Sequence, residues 1–191
     1  MTRIISGFAG SLGLKVPRSG TRPTSDRTRE GIFSALEARG ALDGAEVLDL
    51  YSGSGALGLE AVSRGARLVR LVDHASDAAS TGRANIATVL AAAPTGASID
   101  AQAVTSAVLP YLARTAHRFD LVFIDPPYDL GEQELTDVLG ALASHVSTEA
   151  ELVVERSTRS PEPTWGPGQT LRRRRDYGET AVYYVDADPI D

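Results

Sequence analysis

Apolar positions along the chain fall into short strand-like runs separated by stretches with helical spacing. The runs 46–50, 68–72, 98–102, 121–124 and 152–154 predict strands, and helices are predicted between them over 56–64, 76–92, 105–115 and 131–144. Upstream, Ile32, Phe33 and Leu36 recur at helical spacing and predict a helix over 26–38, with Ser25 or Asp26 as its N-cap. Arg3-Ile4-Ile5 and Leu14-Lys15-Val16 flank a glycine-rich link and predict a loose hairpin. Beyond residue 155 a Pro/Gly loop over 161–168 precedes two runs, 170–175 and 181–185, that predict an antiparallel hairpin at a sheet edge. Strand–helix alternation with short links is the pattern of an α/β domain, a mostly parallel sheet with helices on both faces.

The first strand of the alternating region runs into Asp49-Leu50-Tyr51-Ser52-Gly53-Ser54-Gly55-Ala56-Leu57-Gly58. Gly53, Gly55 and Gly58 form a G-x-G-x-x-G turn between strand and helix, which lets a ligand approach the backbone at the helix N-terminus. Asp73 closes the next strand, 20 residues after Gly53, and suits the two ribose hydroxyls of an adenosine-containing cofactor. Dinucleotide enzymes share this layout. Asp49, just before the turn, repels a pyrophosphate but attracts an ammonium or sulfonium, so S-adenosylmethionine is the cofactor the loop favours.

A second motif ends the strand 119–124: Asp125-Pro126-Pro127-Tyr128. Two prolines stiffen the chain at a strand's carboxyl end, where open α/β sheets bind ligands. They leave a carboxylate, a free carbonyl and an aromatic ring close together. This group suits methylation of a base amine, whose delocalised lone pair must be oriented toward the methyl donor, while Tyr128 stacks on the base. Guanine offers adjacent N1–H and N2–H donors that match a carboxylate. Glu155 ends another strand, either as a solvated strand-end acid or as part of the same pocket's edge.

With both motifs in place, residues 3 to about 185 resemble the bacterial small-subunit (16S) ribosomal RNA guanine-N2-methyltransferase family. The marks are Arg3-Ile4-Ile5-Ser6-Gly7, Arg22-Pro23-Thr24 with Arg27, Arg29 and Glu30, the glycine loop, Asn85, the Asp-Pro-Pro-Tyr turn and Tyr177-Gly178-Glu179-Thr180. The resemblance implies a class I methyltransferase fold, a seven-stranded sheet over residues 26–191, with an N-terminal hairpin over 1–25 that contacts RNA. It implies S-adenosylmethionine held by Asp49, Tyr51, Gly53, Ser54, Gly55, Gly58, Asp73, His74 and Asp125, with Gln102 and Ala103 at the adenine. Asp125, Pro126, Pro127 and Tyr128 would surround the target guanine. The first loop departs from the family, because Phe8-Ala9-Gly10-Ser11 lacks its basic residues.

Charge distribution bears on the partner. The net charge of −6 argues against nucleic acid, yet residues 1–30 carry six basic residues against two acids. Arg3, Lys15, Arg18, Arg22, Arg27 and Arg29 form a basic arm, and Arg172–Arg175 a second patch, of which Arg173 and Arg175 share one strand face. These are the residues expected to contact 16S ribosomal RNA, within a small subunit or an assembly particle. The absence of cysteine excludes thiolate chemistry, including the cysteine adduct used for methylation at cytosine C5. The three histidines are scattered without ligand spacing, so no metal site is expected. No signal peptide or membrane span is visible, and a cytoplasmic monomer is expected.

Three rivals stand beside this reading. Adenine-N6 DNA methyltransferases and protein-glutamine methyltransferases use a similar Pro-Pro-Tyr turn but usually carry a further recognition domain. A nicotinamide-dependent oxidoreductase leaves the Asp-Pro-Pro-Tyr turn unexplained. A non-catalytic RNA-binding assembly factor would keep its role without Asp125.

Overall fold

The computed structural model describes residues 2–17 and 24–190. Its centre is a seven-stranded sheet built from β3 (Glu46–Leu50), β4 (Leu68–Asp73), β5 (Asp100–Thr105), β6 (Phe119–Ile124), β7 (Val146–Ser157), β8 (Gln169–Tyr177) and β9 (Thr180–Ala187). The strand order is β5-β4-β3-β6-β7-β9-β8. The first five run parallel, and β9 lies antiparallel between β7 and β8. The order reverses between β3 and β6, the switch point at which such sheets open a crevice.

Helices cover both faces, which is why β3 and β6 are almost wholly buried and mostly apolar. On one face α1 (Asp26–Glu37), α2 (Ala56–Ser63) and α3 (Ser76–Leu90) pack Ile32, Phe33, Leu36, Leu59 and Val89 against Val47, Phe123, Val153 and Tyr184. On the other, α4 (Val108–Leu112) and α5 (Glu132–Leu142) bury Leu112, Val138 and Leu139 against Leu48, Val122, Val154 and Tyr183. Ser25 caps α1, accepting from the Thr28 N–H at 3.1 Å. Among the described residues no helix is long and apolar enough to cross a membrane.

The N-terminal hairpin is minimal, β1 (Thr2–Arg3) paired with β2 (Gly13–Leu14), and it is welded to the first face. Ile4, Ala9 and Leu14 enter the same core as α1 and α2. The buried Glu60 carboxylate accepts from the N–H groups of Ile5 (2.6 Å) and Ser6 (3.0 Å). Asn85 accepts from Lys15 N–H, and its amide donates to the carbonyls of Lys15 and Ser54. That one side chain ties the extension to the glycine loop.

Three elements differ from the sequence pattern. The predicted strand 98–102 forms two to three residues later, because β5 extends its pairing with β4 as far as Thr105 opposite Asp73. The predicted helix 105–115 shrinks to five residues around Pro110, whose missing N–H limits the helix that can hold it. The short run 152–154 lies within a twelve-residue β7, of which Ala150–Ser157 pair with β9.

Gly58 packs α2 onto the sheet. Its N–H donates to Asp49 Oδ2 at 2.9 Å, and a Cβ there would stand 2.5 Å from Leu71 Cδ2 and 2.8 Å from Val69 Cγ2. Gly58→Ala is therefore expected to cost ~1–3 kcal/mol by overpacking and to lower the melting temperature by several degrees in a thermal-unfolding scan.

Candidate active site

Strand register sets the chemistry of the sheet's carboxyl edge. Leu50 of β3 pairs with Val72 of β4 and with Ile124 of β6, and Ile124 pairs with Val154 of β7. The next residue on each strand therefore stands at one level: Asp73, Tyr51, Asp125 and Glu155 across the edge. Asp49, buried beneath, adds a fourth carboxyl. Tyr51 adopts φ 60°, a left-handed conformation unusual for a side-chain-bearing residue and typical of positions that turn a chain at a site.

Two cavities open along this row. The larger, about 450 Å³, lies over the glycine loop and is bordered by Asp49, Tyr51, Gly53, Ser54, Asp73 and His74. The smaller, about 340 Å³, is bordered by Glu155, Pro126, Tyr128, Tyr177 and the turn after it. Asp125 and Thr24 border both. A ligand in each cavity would face the other across Asp125.

Within the larger cleft Asp73 shapes the loop, accepting from the N–H groups of Gly53 (3.0 Å) and Ala75 (2.9 Å). Each of its oxygens keeps a further lone pair for a ligand hydroxyl. Burial holds the Asp49 carboxyl well above the usual range, opposed by the Gly58 N–H, and a cationic ligand would favour its ionised form. Arg29 reaches the cleft from α1 and is 1% exposed. It bonds Asp26 at 2.7 Å and stands 4.0 Å from the Glu60 carboxylate, while among the described residues its Nε and Nη1 have no hydrogen-bond partner. A buried guanidinium with orphan donors invites a ligand anion. The cleft thus fits an adenosine-type ligand carrying both a cation and a carboxylate.

Around the smaller cavity the Thr24 hydroxyl lies 3.1 Å from Asp125 Oδ2 and 3.2–3.3 Å from both Glu155 oxygens. One hydroxyl proton serves one carboxyl at a time. Burial pushes Asp125 up to about 6, with the Thr24 hydroxyl opposing. Glu155 is driven further up by burial and by the Asp125 charge. The pair therefore tends to retain a proton toward neutral pH. Tyr128 is 66% exposed at the rim, its ring free to stack.

Of the residues named from sequence, Asp49, Tyr51, Gly53, Ser54, Asp73, His74, Asp125 and Pro127 border the larger cleft, and Asp125, Pro126 and Tyr128 the smaller. Gly55 and Gly58 lie beneath the loop against Leu71. Gln102 and Ala103 reach neither cavity, because β5 continues past them and presents Thr105 at the edge beside Asp73. Arg29 cannot clamp RNA phosphates from the surface as the sequence suggested, since α1 buries it at the cleft. Arg3, Lys15 and Arg27 are exposed, Arg3 pairing with Asp26 at 3.3 Å. Arg18 and Arg22 lie outside the described residues. Arg173 and Arg175 oppose Tyr184 and Val182 on β9 and so share the α1 face, whereas Arg172 and Arg174 are engaged by Glu151, Asp186 and Asp176. Thr24 and Tyr177 carry no site signal of their own in the sequence and are visible there only within the Arg-Pro-Thr and Tyr-Gly-x-Thr marks.

Comparisons with known proteins bear on the family and the fold. A family profile described as conserved hypothetical protein 95 matches residues 2–186. Ribosomal RNA small subunit methyltransferase D of Escherichia coli K12 is 34% identical over 180 residues, covering 94% of this chain and 86% of that protein. A solved structure of a provisionally assigned methyltransferase from Escherichia coli superposes with a TM-score of 0.81 at 32% identity, covering 98% of each chain. A hypothetical protein of Thermus thermophilus does so with a TM-score of 0.80 at 28% identity over the full length of both.

The raised Asp125 value has a consequence for stability. Between the ordinary carboxylate value, 3.8, and about 6 the folded protein holds a proton that the unfolded chain has lost, so stability falls as pH rises through this window. Asp125→Asn is expected to melt above wild type at pH 8, with the gap closing by pH 4 in a pH series of thermal scans. A variant melting below wild type at pH 8 would contradict this account.

Proposed function

The chain belongs to the conserved hypothetical protein 95 family, of the small-subunit ribosomal RNA methyltransferase D type, and from that premise we propose that it methylates the exocyclic N2 amine of a guanine in 16S ribosomal RNA, using S-adenosylmethionine. Its sheet is that of the class I methyltransferases. The observation that carries the reading is the meeting of two cavities at Asp125, one suited to the methyl donor and one to a base.

Asp73 and the glycine-loop backbone would hold the cofactor's adenosine, Asp49 its cationic groups and Arg29 its carboxylate. S-adenosylmethionine, when bound, supplies an electrophilic methyl group on a sulfonium sulfur. Four carboxyls along the edge make a poor home for a pyrophosphate, which counts against a nicotinamide dinucleotide.

On the substrate side, Asp125 and the Pro126 carbonyl accept N–H bonds from the amine and hold its lone pair toward the neighbouring cleft. Tyr128 stacks on the extruded base, a contact worth roughly 1–3 kcal/mol. As nitrogen gains the methyl group it sheds one proton, and Asp125, with its value near 6, is placed to take it and release it to water. Arg173 and Arg175 share the α1 face with the N-terminal extension, Arg27 is exposed on α1, and together they supply positive charge for the RNA backbone. The target has to be unpaired or extruded to reach Asp125.

Two experiments test this reading. Labelled methyl from S-adenosylmethionine is expected in N2-methylguanosine when the protein acts on small subunits from a strain lacking the gene, and Asp125→Ala should slow transfer by on the order of 10²–10⁴-fold. Label in another nucleotide, in DNA or in protein would overturn it. Arg29→Met should weaken S-adenosylmethionine binding roughly 10-fold or more by calorimetry, yet leave the decarboxylated cofactor's affinity unchanged. Equal weakening for both ligands would remove Arg29 from the carboxylate site.

A further inference from the structure

The proposed reading leaves Glu155 without a task, although its placement is costly. Glu155 is 3% exposed, two residues before the end of β7, yet it borders a cavity that can take a base. Its hydrogen-bond partner among the described residues is the Thr24 hydroxyl, which Asp125 also claims. A buried carboxyl served by half of one hydroxyl is under-satisfied, and proteins keep such groups where a ligand completes them. β7 register fixes it beside Asp125, because Ile124 pairs with Val154 and the two acids are the next residues on their strands.

Resting on the guanine reading above, we infer that Glu155 is the residue that selects guanine, its carboxyl pairing with the N1–H and O6 edge while Asp125 takes the adjacent N2 amine. A guanine ring presents these groups in sequence along one edge: a carbonyl oxygen, an N–H and an amine. Two neighbouring carboxyls that hold one proton between them present the complement. The carbonyl of Glu155 accepts N1–H, its O–H donates to O6, and the ionised Asp125 accepts from N2. Adenine is rejected at C2, where a hydrogen replaces the amine that Asp125 accepts, and the Glu155 carboxyl discriminates among bases that keep that amine. Tyr128 contributes affinity without choosing among bases, since every base has a stacking face. Discrimination therefore falls to the Glu155 carboxyl, and a site built to bond a substrate N–H rejects an analogue without it far more strongly than packing alone could.

The test reads base preference. Subunits are reconstituted with RNA carrying either guanosine or 2-aminopurine at the nucleotide that the labelling experiment maps. 2-Aminopurine keeps the exocyclic N2 amine but lacks both N1–H and O6. Wild type is expected to prefer guanosine by on the order of 10²-fold or more in kcat/KM. Glu155→Gln, whose amide carries the same acceptor and donor, should keep that preference within a few-fold. Glu155→Met, of similar volume, should lose at least tenfold of it, and Glu155→Ala should lose as much, each still binding S-adenosylmethionine, because Glu155 does not border the cofactor cleft. Wild type methylating both bases equally overturns the inference without any variant. So does a Met or Ala variant that keeps the wild-type preference, or a Gln variant that loses it as Met does. Failure of wild type to label any guanine N2 is a different result and removes the underlying reading instead.

Discussion

Everything at the working edge of this protein depends on one constraint, the alignment of β4, β3, β6 and β7 so that the residues following their last mutual pairs stand level. Parallel pairing of Leu50 with Val72 and Ile124, and of Ile124 with Val154, leaves no freedom in where Asp73, Asp125 and Glu155 emerge. A slip of one residue would turn each acid from the edge toward a helix-covered face. The apolar residues behind them, buried on both faces, hold the register with hydrophobic contacts that no surface residue could supply. The site is thus specified by core residues that never touch a ligand.

The same alignment crowds carboxyls in a poorly solvated place, a destabilising arrangement that the fold tolerates. Asp49, Asp125 and Glu155 all have their ionised forms disfavoured by burial. Relief comes from groups that also shape the site: the Gly58 N–H for Asp49 and the Thr24 hydroxyl for the other two. Thr24 stands just before α1, and α1 also brings Arg29 to the cleft. The segment before the sheet is therefore part of the site rather than an appendage. Glu60, Ser63 and Asn85 fasten the extension from inside the domain.

The fold was largely legible because its signals are local. Alternation of apolar runs with helical spacing located β3, β4, β6 and α5 within a residue or two, and the glycine and Pro-Pro turns located both cavities. What the sequence could not show was register and burial. The family resemblance points to Gln102 and Ala103 at the adenine, and the sequence pattern ends the strand at residue 102, whereas pairing with β4 carries it to Thr105. Arg29 reads as a surface arginine beside Arg27, and only the packing of α1 against Phe123 and Tyr184 turns it inward. Glu155 was placed at the pocket edge as a strand-end acid. Its neighbour Asp125 lies thirty positions earlier in the chain, and the strand pairing alone brings the two together.

The central claim is that donor and base occupy adjoining cavities separated by Asp125. A crystal structure of the protein with S-adenosylhomocysteine and guanosine monophosphate tests it most directly. The account predicts the nucleoside of S-adenosylhomocysteine over the glycine loop, its ribose on Asp73 and its carboxylate on Arg29. It predicts the guanine between Tyr128 and Glu155, with N2 directed past Asp125 toward the sulfur. A guanine bound elsewhere, or one entering with N2 turned away from Asp125, would contradict it.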